Sequence, residues 1–394
     1  MIFIKNKTAR KYLRKAPKAG KEIIKFSLFI LLVGISLPYY RTEIYDFEPT
    51  QPFHGNEFYN PYKNWKPENL QKLNLHAHSH AWAGLTYGKN TEKELKTAYS
   101  KAGYKIQIVS NYHLSDDEHF NQKIWVYEHG INLNKAHKLA INTPEVSYFD
   151  FPLWQNRSQK QQIIKEIVQS GGMVAIAHPN VRNGHVDLSD MRGYQFTEVL
   201  SHYANARNIW DRALLSGNLS WLLANDDTHD ITKQKIGSFY NLLSEKNDPI
   251  ETLKSGTYLG VKTLERSLDF NLEYLRISKG TLRFKFSPNV TQVAIIIDGK
   301  KAKLTSEYEG TIHLNGVRHY IRLEAENASA QVFTNPIVRT THKNQLDRYS
   351  ATQAINFTKT FIYRSFILLL NLSLFLIFYP KTIFQPKRKL LTKT

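Results

Sequence analysis

Between residues 73 and 265, short apolar runs alternate with polar stretches of helical period. Apolar runs of four or five residues are typical of buried strands, and apolar stripes spaced three and four residues apart are typical of helices. The predicted strands are the run that starts at Leu73, then 106–109, 137–141, 173–177, 196–200 and 221–224, with 124–127 as a loop segment. The predicted helices run from Asn90 or Thr91 to about Lys101, from Ser158 to Gly171, and around 209–215. This alternation predicts an α/β fold with a mostly parallel sheet or barrel.

From about residue 268 the pattern changes to alternating apolar and polar positions, with little helical signal. Alternation of this kind is typical of strands with one buried face. Asp298-Gly299 is a turn signal between two such runs. Residues 266–340 are therefore predicted to form a small β-sandwich after the α/β domain of residues 73–265.

Two apolar runs, 26–40 and 361–379, lie near the two ends of the chain, and Arg364 is their only charged residue. Both are near the short end of the roughly 17–25 residues that span a bilayer. We predict two transmembrane helices. The alternatives are a cleaved signal peptide for the first run and a buried helix for the second. The intervening segments are predicted as an irregular lead-in at 41–72 and a linker at 341–360.

The positive charge is concentrated in two tails. Residues 1–25 carry nine Lys and Arg against one Glu, and residues 380–394 carry five and no acid, so +8 and +5 leave only +6 of the formal +19 for the rest. Basic residues flank membrane spans on the cytoplasmic side, so both tails are predicted to be cytoplasmic and residues 41–360 extracytoplasmic. No nucleic-acid partner is expected, because such a surface needs clustered positive charge. The sequence predicts no oligomeric state.

The chain has no cysteine, so a transition-metal site must use imidazole and carboxylate ligands. The segment NLHAHSH follows the first predicted strand, and in extended backbone alternate side chains share a face. His76 and His78 are therefore predicted to converge on one cation. Other candidate ligands lie at or near the ends of further apolar runs: Glu128, His137, His178, Asp227 and His229. This mixture of ligands suits zinc, manganese or iron.

Five segments together resemble the PHP (polymerase and histidinol phosphatase) superfamily. They are NLHAHS at 74–79, IVSNYH at 108–113, YEHG at 127–130, GGMVAIAHP at 171–179 and LLANDDTH at 222–229. The resemblance covers roughly residues 70–265. It implies a distorted, TIM-like barrel of about seven strands and the metal-dependent hydrolysis of phosphate esters.

The resemblance also implies which residues hold each metal ion. A first ion would be held by His76, His78, Glu128 and Asp227. A second would be held by Glu128, His137 and His178, with Glu128 bridging the two ions. His229 would belong to a third ion, and catalysis is assigned to His178, Asp227 and His229.

The sequence departs from the family pattern at two places. The Asp-Gly pair expected after the first motif is Tyr87-Gly88 here, and Thr-Asp-His is Ser110-Asn111-Tyr112, with His113 one place later. Both missing groups would serve the third ion. We therefore predict two tightly held ions. A third ion would bind only if His80 or His113 took the place of the missing ligands. Asp226 is predicted to support its loop, and the predicted pocket lining is His129, Glu198, His202 and Asp230.

The expected protein is a membrane-anchored phosphoesterase in which a metal-bound hydroxide attacks phosphorus at a site of two or three ions. An extracytoplasmic site favours a phosphorylated small molecule, a lipid headgroup or a phosphorylated surface glycan over chromosomal DNA. The first alternative is a non-catalytic, metal-stabilised module that binds a cell-envelope partner. The second is a PHP-type nuclease.

Overall fold

The computed structural model describes residues 18–114, 124–181, 188–264, 268–343, 345–346 and 353–380, so most of the two basic tails lies outside the described residues. The chain divides into two compact units, one of Met1–Asp46 with Ile355–Thr394 and one of Phe47–Ala354. The helices are α1 (Lys18–Tyr40), α2 (Glu92–Lys101), α3 (Arg157–Gln169), α4 (Arg207–Leu215), α5 (Pro249–Ser255) and α6 (Phe357–Phe378). The strands are β1 (Tyr45–Phe47), β2 (Glu57–Tyr59), β3 (Leu70–Leu73), β4 (Val126–His129), β5 (Lys138–Ile141), β6 (Met173–Ile176), β7 (Phe196–Leu200), β8 (Trp221–Ala224), β9 (Phe239–Ser244), β10 (Leu259–Thr263), β11 (Leu272–Ser278), β12 (Thr281–Phe286), β13 (Gln292–Ile297), β14 (Lys300–Thr305), β15 (Glu309–His313), β16 (Tyr320–Glu326), β17 (Ala330–Thr334), β18 (Ile337–Thr340) and β19 (Gln353–Ile355).

The first unit contains the two apolar helices, α1 and α6, which pack against each other. Phe29 contacts the ring of Phe375 at 6.1 Å between centroids, and the Ser36 hydroxyl donates to Asn371 Oδ1 at 2.8 Å. Both helices are long and apolar enough to cross a membrane, and only 6% of the most apolar window of each is buried. The alternative of a buried core helix for the second run is therefore wrong.

Five strands of the second unit form a mixed sheet in the order β4-β5-β6-β7-β8. The first two pairings are antiparallel and the last two are parallel. The parallel strands β7 and β8 are connected through helix α4, as a crossover requires, whereas β4 and β5 are joined by a short loop and form a hairpin. The prediction of a mostly parallel sheet is therefore wrong, and the described residues form no closed barrel of regular strands.

Two irregular segments lie between β8 and β4. Ala77 forms a parallel bridge with Thr228, the Ser110 N–H donates to Ala77 O at 2.8 Å, and the Glu128 N–H donates to Ser110 O at 3.1 Å. The strand predicted at 106–109 is absent as a regular element, and the isolated backbone bonds begin just after it, at Ser110. The loop predicted at 124–127 is wrong, since its apolar residues lead into and begin the buried strand β4.

The remaining strands of this unit form two further sheets. One is a nine-stranded antiparallel sheet in the order β14-β13-β16-β17-β10-β9-β3, with β18 joining β16 to β2. The other is β11-β12-β15. Leu275 and Phe284 of the three-stranded sheet share one apolar core with Ile295 and Leu323 of the nine-stranded sheet. The fold is thus mixed α/β, and the domain boundaries within this unit stay predictions.

Local capping explains where the helices begin. Of the two predicted starts, Asn90 and Thr91, it is Thr91 that caps α2, in a reciprocal pair with Glu94. Ser158 does not cap α3. Asn156 does so, by accepting from the Gln159 N–H at 2.9 Å while its own N–H donates to the Gln159 side chain at 2.8 Å. Because Ser, Thr and Asn are all favoured caps, the sequence could not choose between Asn156 and Ser158.

Candidate metal centre

The seven predicted ligands lie together in overlapping groups whose atoms could hold metal ions. Six of them are buried, and His229 is partly exposed. They come from five pieces of backbone: His76 and His78 follow β3, Glu128 is on β4, His137 precedes β5, His178 follows β6, and Asp227 and His229 follow β8.

The first group surrounds the imidazoles of His76 and His78. His76 Nε2 lies 3.1 Å from His78 Nε2 and 3.3 Å from Glu128 Oε1. Asp227 Oδ1 lies 3.3 Å from His76 Nε2 and 3.5 Å from His78 Nε2, which itself is 3.1 Å from Glu128 Oε2. Four ligand atoms at about 2.1 Å from a tetrahedral ion are about 3.4 Å apart. The separations of His76 and His78 from each other and from the two carboxylates are close to this value, so these side chains could hold one ion.

The second group shares Glu128 with the first. His137 Nδ1 lies 2.8 Å from Glu128 Oε1 and 3.2 Å from His178 Nε2. His178 Nε2 is 3.3 Å from the same carboxylate oxygen. Three protein ligands leave a coordination position open, as in catalytic sites, and a carboxylate between two groups can bridge two ions.

Three residues at this centre have backbone conformations with positive φ. His178 and Asp227 have φ of 26° and 51°, in the left-handed region that non-glycine residues rarely occupy. Gly130 has φ of 133°, and a Cβ at this position would lie 2.8 Å from the His137 ring. Strain of this kind concentrates at functional sites, where the surrounding structure holds it in place.

The centre is electrostatically incomplete without a cation. Glu128 Oε2 and Asp227 Oδ1 are buried without a hydrogen-bond donor. Burial raises the pKa of Glu128, but the neighbouring His137 and His76 outweigh it and hold the pKa well below its ordinary value. The pKa of Asp227 is lowered in the same way by His76 and His78. Both carboxylates are therefore ionised at neutral pH. Because a buried charge needs a partner, the residues fit divalent ions.

Glu198 orients two of these ligands. His76 Nδ1 donates to Glu198 Oε1 at 2.9 Å, and the His178 N–H donates to Glu198 Oε2 at 2.9 Å. The first bond engages Nδ1 and leaves Nε2 as the ring nitrogen that faces the centre, which is the usual task of a carboxylate behind a metal-binding histidine. The sequence placed Glu198 only as pocket lining. Glu198 is a charged residue within an apolar strand that is buried throughout. A buried carboxylate needs specific partners, and this is the feature of the sequence that could have indicated its role.

His229 lies at the edge of the centre. Its Nδ1 is 3.6 Å from Asp227 Oδ1, and its ring centroid is 4.4 Å from that of His78. Burial, together with His78, lowers the pKa of His229 to about 4, so the ring is neutral at pH 7. Tyr87 is 70% exposed, and its ring centroid lies 6.5 Å from that of His229. Tyr112 stacks on His78, and burial with the nearby Glu128 raises its pKa, so its phenol keeps its proton.

His80 and His113 do not join His229. The ring of His80 lies beside Gly84 and belongs to no ligand group in the described part of the chain. His113 lies instead with His129 and Asp150. Its Nε2 accepts from the Gly130 N–H at 2.9 Å and its Nδ1 donates to Ser147 O at 2.7 Å, so both ring nitrogens are engaged.

The other predicted pocket residues have local partners. Asp226 accepts from the N–H groups of Gly237 and Phe239 at 2.8 and 2.9 Å and so supports its loop. His129 Nε2 donates to Phe149 O, the His202 ring packs on that of Phe239, and Asp230 accepts from Thr232.

Comparison with known proteins adds no relative: no protein-family model matches the chain, and no curated protein matches it. The similarity to the PHP superfamily accordingly stays a prediction from the five motifs.

Proposed function

We propose that this protein is a membrane-anchored, metal-dependent phosphoesterase of the PHP type. The observation that carries the proposal is the position of Glu128 between two sets of buried ligands. In one set His76 and His78 lie within 3.5 Å of both Glu128 and Asp227, and the other set leaves a coordination position open. A shared carboxylate between such sets is typical of two-metal hydrolysis of phosphate esters.

The proposed PHP-type barrel is supported by the backbone on either side of the centre. The bonds from Thr228 to Ala77, from Ser110 to Ala77, and from Glu128 to Ser110 lead from the end of β8 to β4. These are the two outer strands of the five-stranded sheet. Irregular segments in place of two regular strands would make the barrel a distorted one.

The residues of the centre would divide the work as follows. His76, His78, Glu128 and Asp227 would hold one ion of zinc, manganese or iron, and Glu128, His137 and His178 the other. Ions bound there would lower the pKa of a water ligand and offset negative charge on the phosphate oxygens. His229, neutral and partly exposed, would donate a hydrogen bond to one phosphate oxygen. Glu198 would keep His76 in the tautomer that leaves Nε2 free.

The direct test combines metal analysis with a phosphate-release screen on the purified full chain. We expect bound divalent metal and release of phosphate from at least one class of ester among small phosphorylated molecules, lipid headgroups and surface-glycan phosphates. A chelator should remove the bound metal and abolish phosphate release, and added metal should restore the release. A protein that holds metal but releases no phosphate from any class would instead be the metal-stabilised binding module.

We also propose that the second unit lies outside the cytoplasm. The support is the length and exposed apolar surface of α1 and α6, together with the basic tails that flank both helices. A reporter fused near residue 345 should be active if it works only outside the cytoplasm. Activity of a cytoplasm-only reporter at the same position would contradict the two-span topology.

A further inference from the structure

Large apolar side chains are exposed around the candidate metal centre. In the described residues of the unit 47–354, eleven large hydrophobic side chains are exposed, and nine of them lie in 82–87, 131–154 and at Tyr203. These segments follow the strands or bridges that carry the proposed ligands. Leu264 and Leu304 are the two exceptions. Soluble surfaces rarely group apolar side chains in this way unless they bind something.

Several of these side chains lie close to the centre itself. The ring centroids of Tyr203 and Tyr87 lie 5.7 and 6.5 Å from that of His229. Trp82 Nε1 donates to the carbonyl of Tyr112, whose ring stacks on His78. Ile131 and Leu133 lie in the loop between the proposed ligands Glu128 and His137. We define the apolar rim as Trp82, Leu85, Tyr87, Ile131, Leu133, Tyr148 and Tyr203.

The composition of the rim favours hydrocarbon over sugar. Leu85, Ile131 and Leu133 are 89%, 55% and 62% exposed, and aliphatic side chains have no flat face on which a sugar ring can stack. They gain free energy by burial in hydrocarbon, roughly in proportion to their apolar area. Tryptophan and tyrosine are the residues enriched at the level of lipid headgroups. The rim therefore combines the two kinds of side chain that a membrane interface takes up.

The charge next to the rim has the sign that anionic lipids attract. Lys89, just after the first of these segments, and Lys135 are exposed, and Lys233, which pairs with Asp230 at 3.7 Å, has an 80% exposed side chain. Glu145 is the exposed acid among the described residues of these loops. Apolar side chains with flanking lysines are typical of protein surfaces that bind negatively charged membranes.

We propose that the apolar rim enters the surface of an anionic membrane and that the phosphate ester hydrolysed at the centre is a lipid headgroup. The contact with lipid stands on the rim alone, whereas the identity of the substrate rests on the proposed phosphoesterase function. The two parts therefore need separate measurements.

The contact can be measured by fluorescence, a readout that does not require turnover. The six tryptophans lie between residues 65 and 221, so none is in α1 or α6, and Trp82 is one of the exposed ones. The full chain would be reconstituted in vesicles of phosphatidylcholine and phosphatidic acid with brominated acyl chains. We expect quenching in the native protein that is clearly weaker in Trp82→Phe. Equal quenching in the two proteins would overturn the membrane contact.

The substrate can be tested with matched leucine variants. Leu85→Ser should lower the ratio of long-chain to short-chain phosphatidate hydrolysis by about fivefold, because the leucine no longer buries apolar area. Leu304→Ser, a 48% exposed leucine on β14, should leave that ratio unchanged. An unchanged ratio in Leu85→Ser would overturn the lipid substrate, as would a selective loss of glycan-phosphate hydrolysis. Quenching without hydrolysis of either phosphatidate would reject the substrate and the proposed activity on lipids, and would leave the contact standing.

Discussion

Replacement of Glu128 by Gln should remove bound metal and lower phosphate release by roughly a thousandfold or more. The Glu128 carboxylate is the one group common to both ligand sets, with one oxygen 3.1 Å from His78 Nε2 and the other 2.8 Å from His137 Nδ1. A neutral amide removes negative charge from both sets at once. Asp227→Asn should have a similar effect through the first set. Metal content by elemental analysis and phosphate release on the same samples would measure both losses.

Glu198→Gln is the matched control, since it makes the same change in another fully buried glutamate. Glu198 acts on the centre through His76 and the backbone of His178, so its loss should weaken metal affinity or activity by about 10- to 100-fold and leave measurable turnover. Thermal unfolding distinguishes a loss of metal binding from misfolding. Metal at 100 times its Kd should stabilise the native protein by about 2.7 kcal/mol and should not stabilise Glu128→Gln. Full metal content in Glu128→Gln would mean that the bridging role is wrong.

The part of the centre that the sequence predicted depends on local geometry. His76 and His78 are two residues apart in extended backbone, so their side chains had to share a face. His178 and Asp227 directly follow, or come close after, apolar runs that form β6 and β8, and strand ends bring such residues to one edge of a sheet. These four positions can be predicted without knowing which strands pair with each other.

The parts that the sequence did not predict depend on distant partners. Whether the apolar run that begins at Ile124 becomes a strand is decided by pairing with β5, whereas the equally apolar segment 106–109 joins no sheet of the described residues. The role of Glu198 depends on His76, 122 residues away in sequence. From the sequence His113 is a candidate replacement ligand, but in the structure its Nε2 already accepts a hydrogen bond from the Gly130 N–H. Non-local hydrogen bonds of this kind leave no periodic signal in the chain.

The protein should hold two tightly bound metal ions per chain. A third ion near His229 would need further ligands, and the groups nearest to the family's missing positions are phenols, which bind metal well only after losing a proton. Tyr112 keeps its proton because burial raises its pKa, Tyr87 is largely exposed, and both nitrogens of His113 are already bonded. His229→Ala should therefore retain two ions and lose roughly 10- to 100-fold in turnover, the effect of one hydrogen bond to a charged phosphate.

A comparison of His229→Ala with His137→Ala tests the predicted number of metal ions. His137 is one of only three ligands in the second group, so His137→Ala should lose one ion of the two, whereas His229→Ala should lose none. Elemental analysis would give the stoichiometry of each variant, and anomalous scattering from crystals would locate the ions. Three fully occupied sites, with His80 or His113 coordinated, would contradict the two-ion prediction. Such a result would require His113 to release either the Gly130 N–H or the Ser147 carbonyl, because a ring nitrogen cannot hold its present partner and a metal ion at the same time.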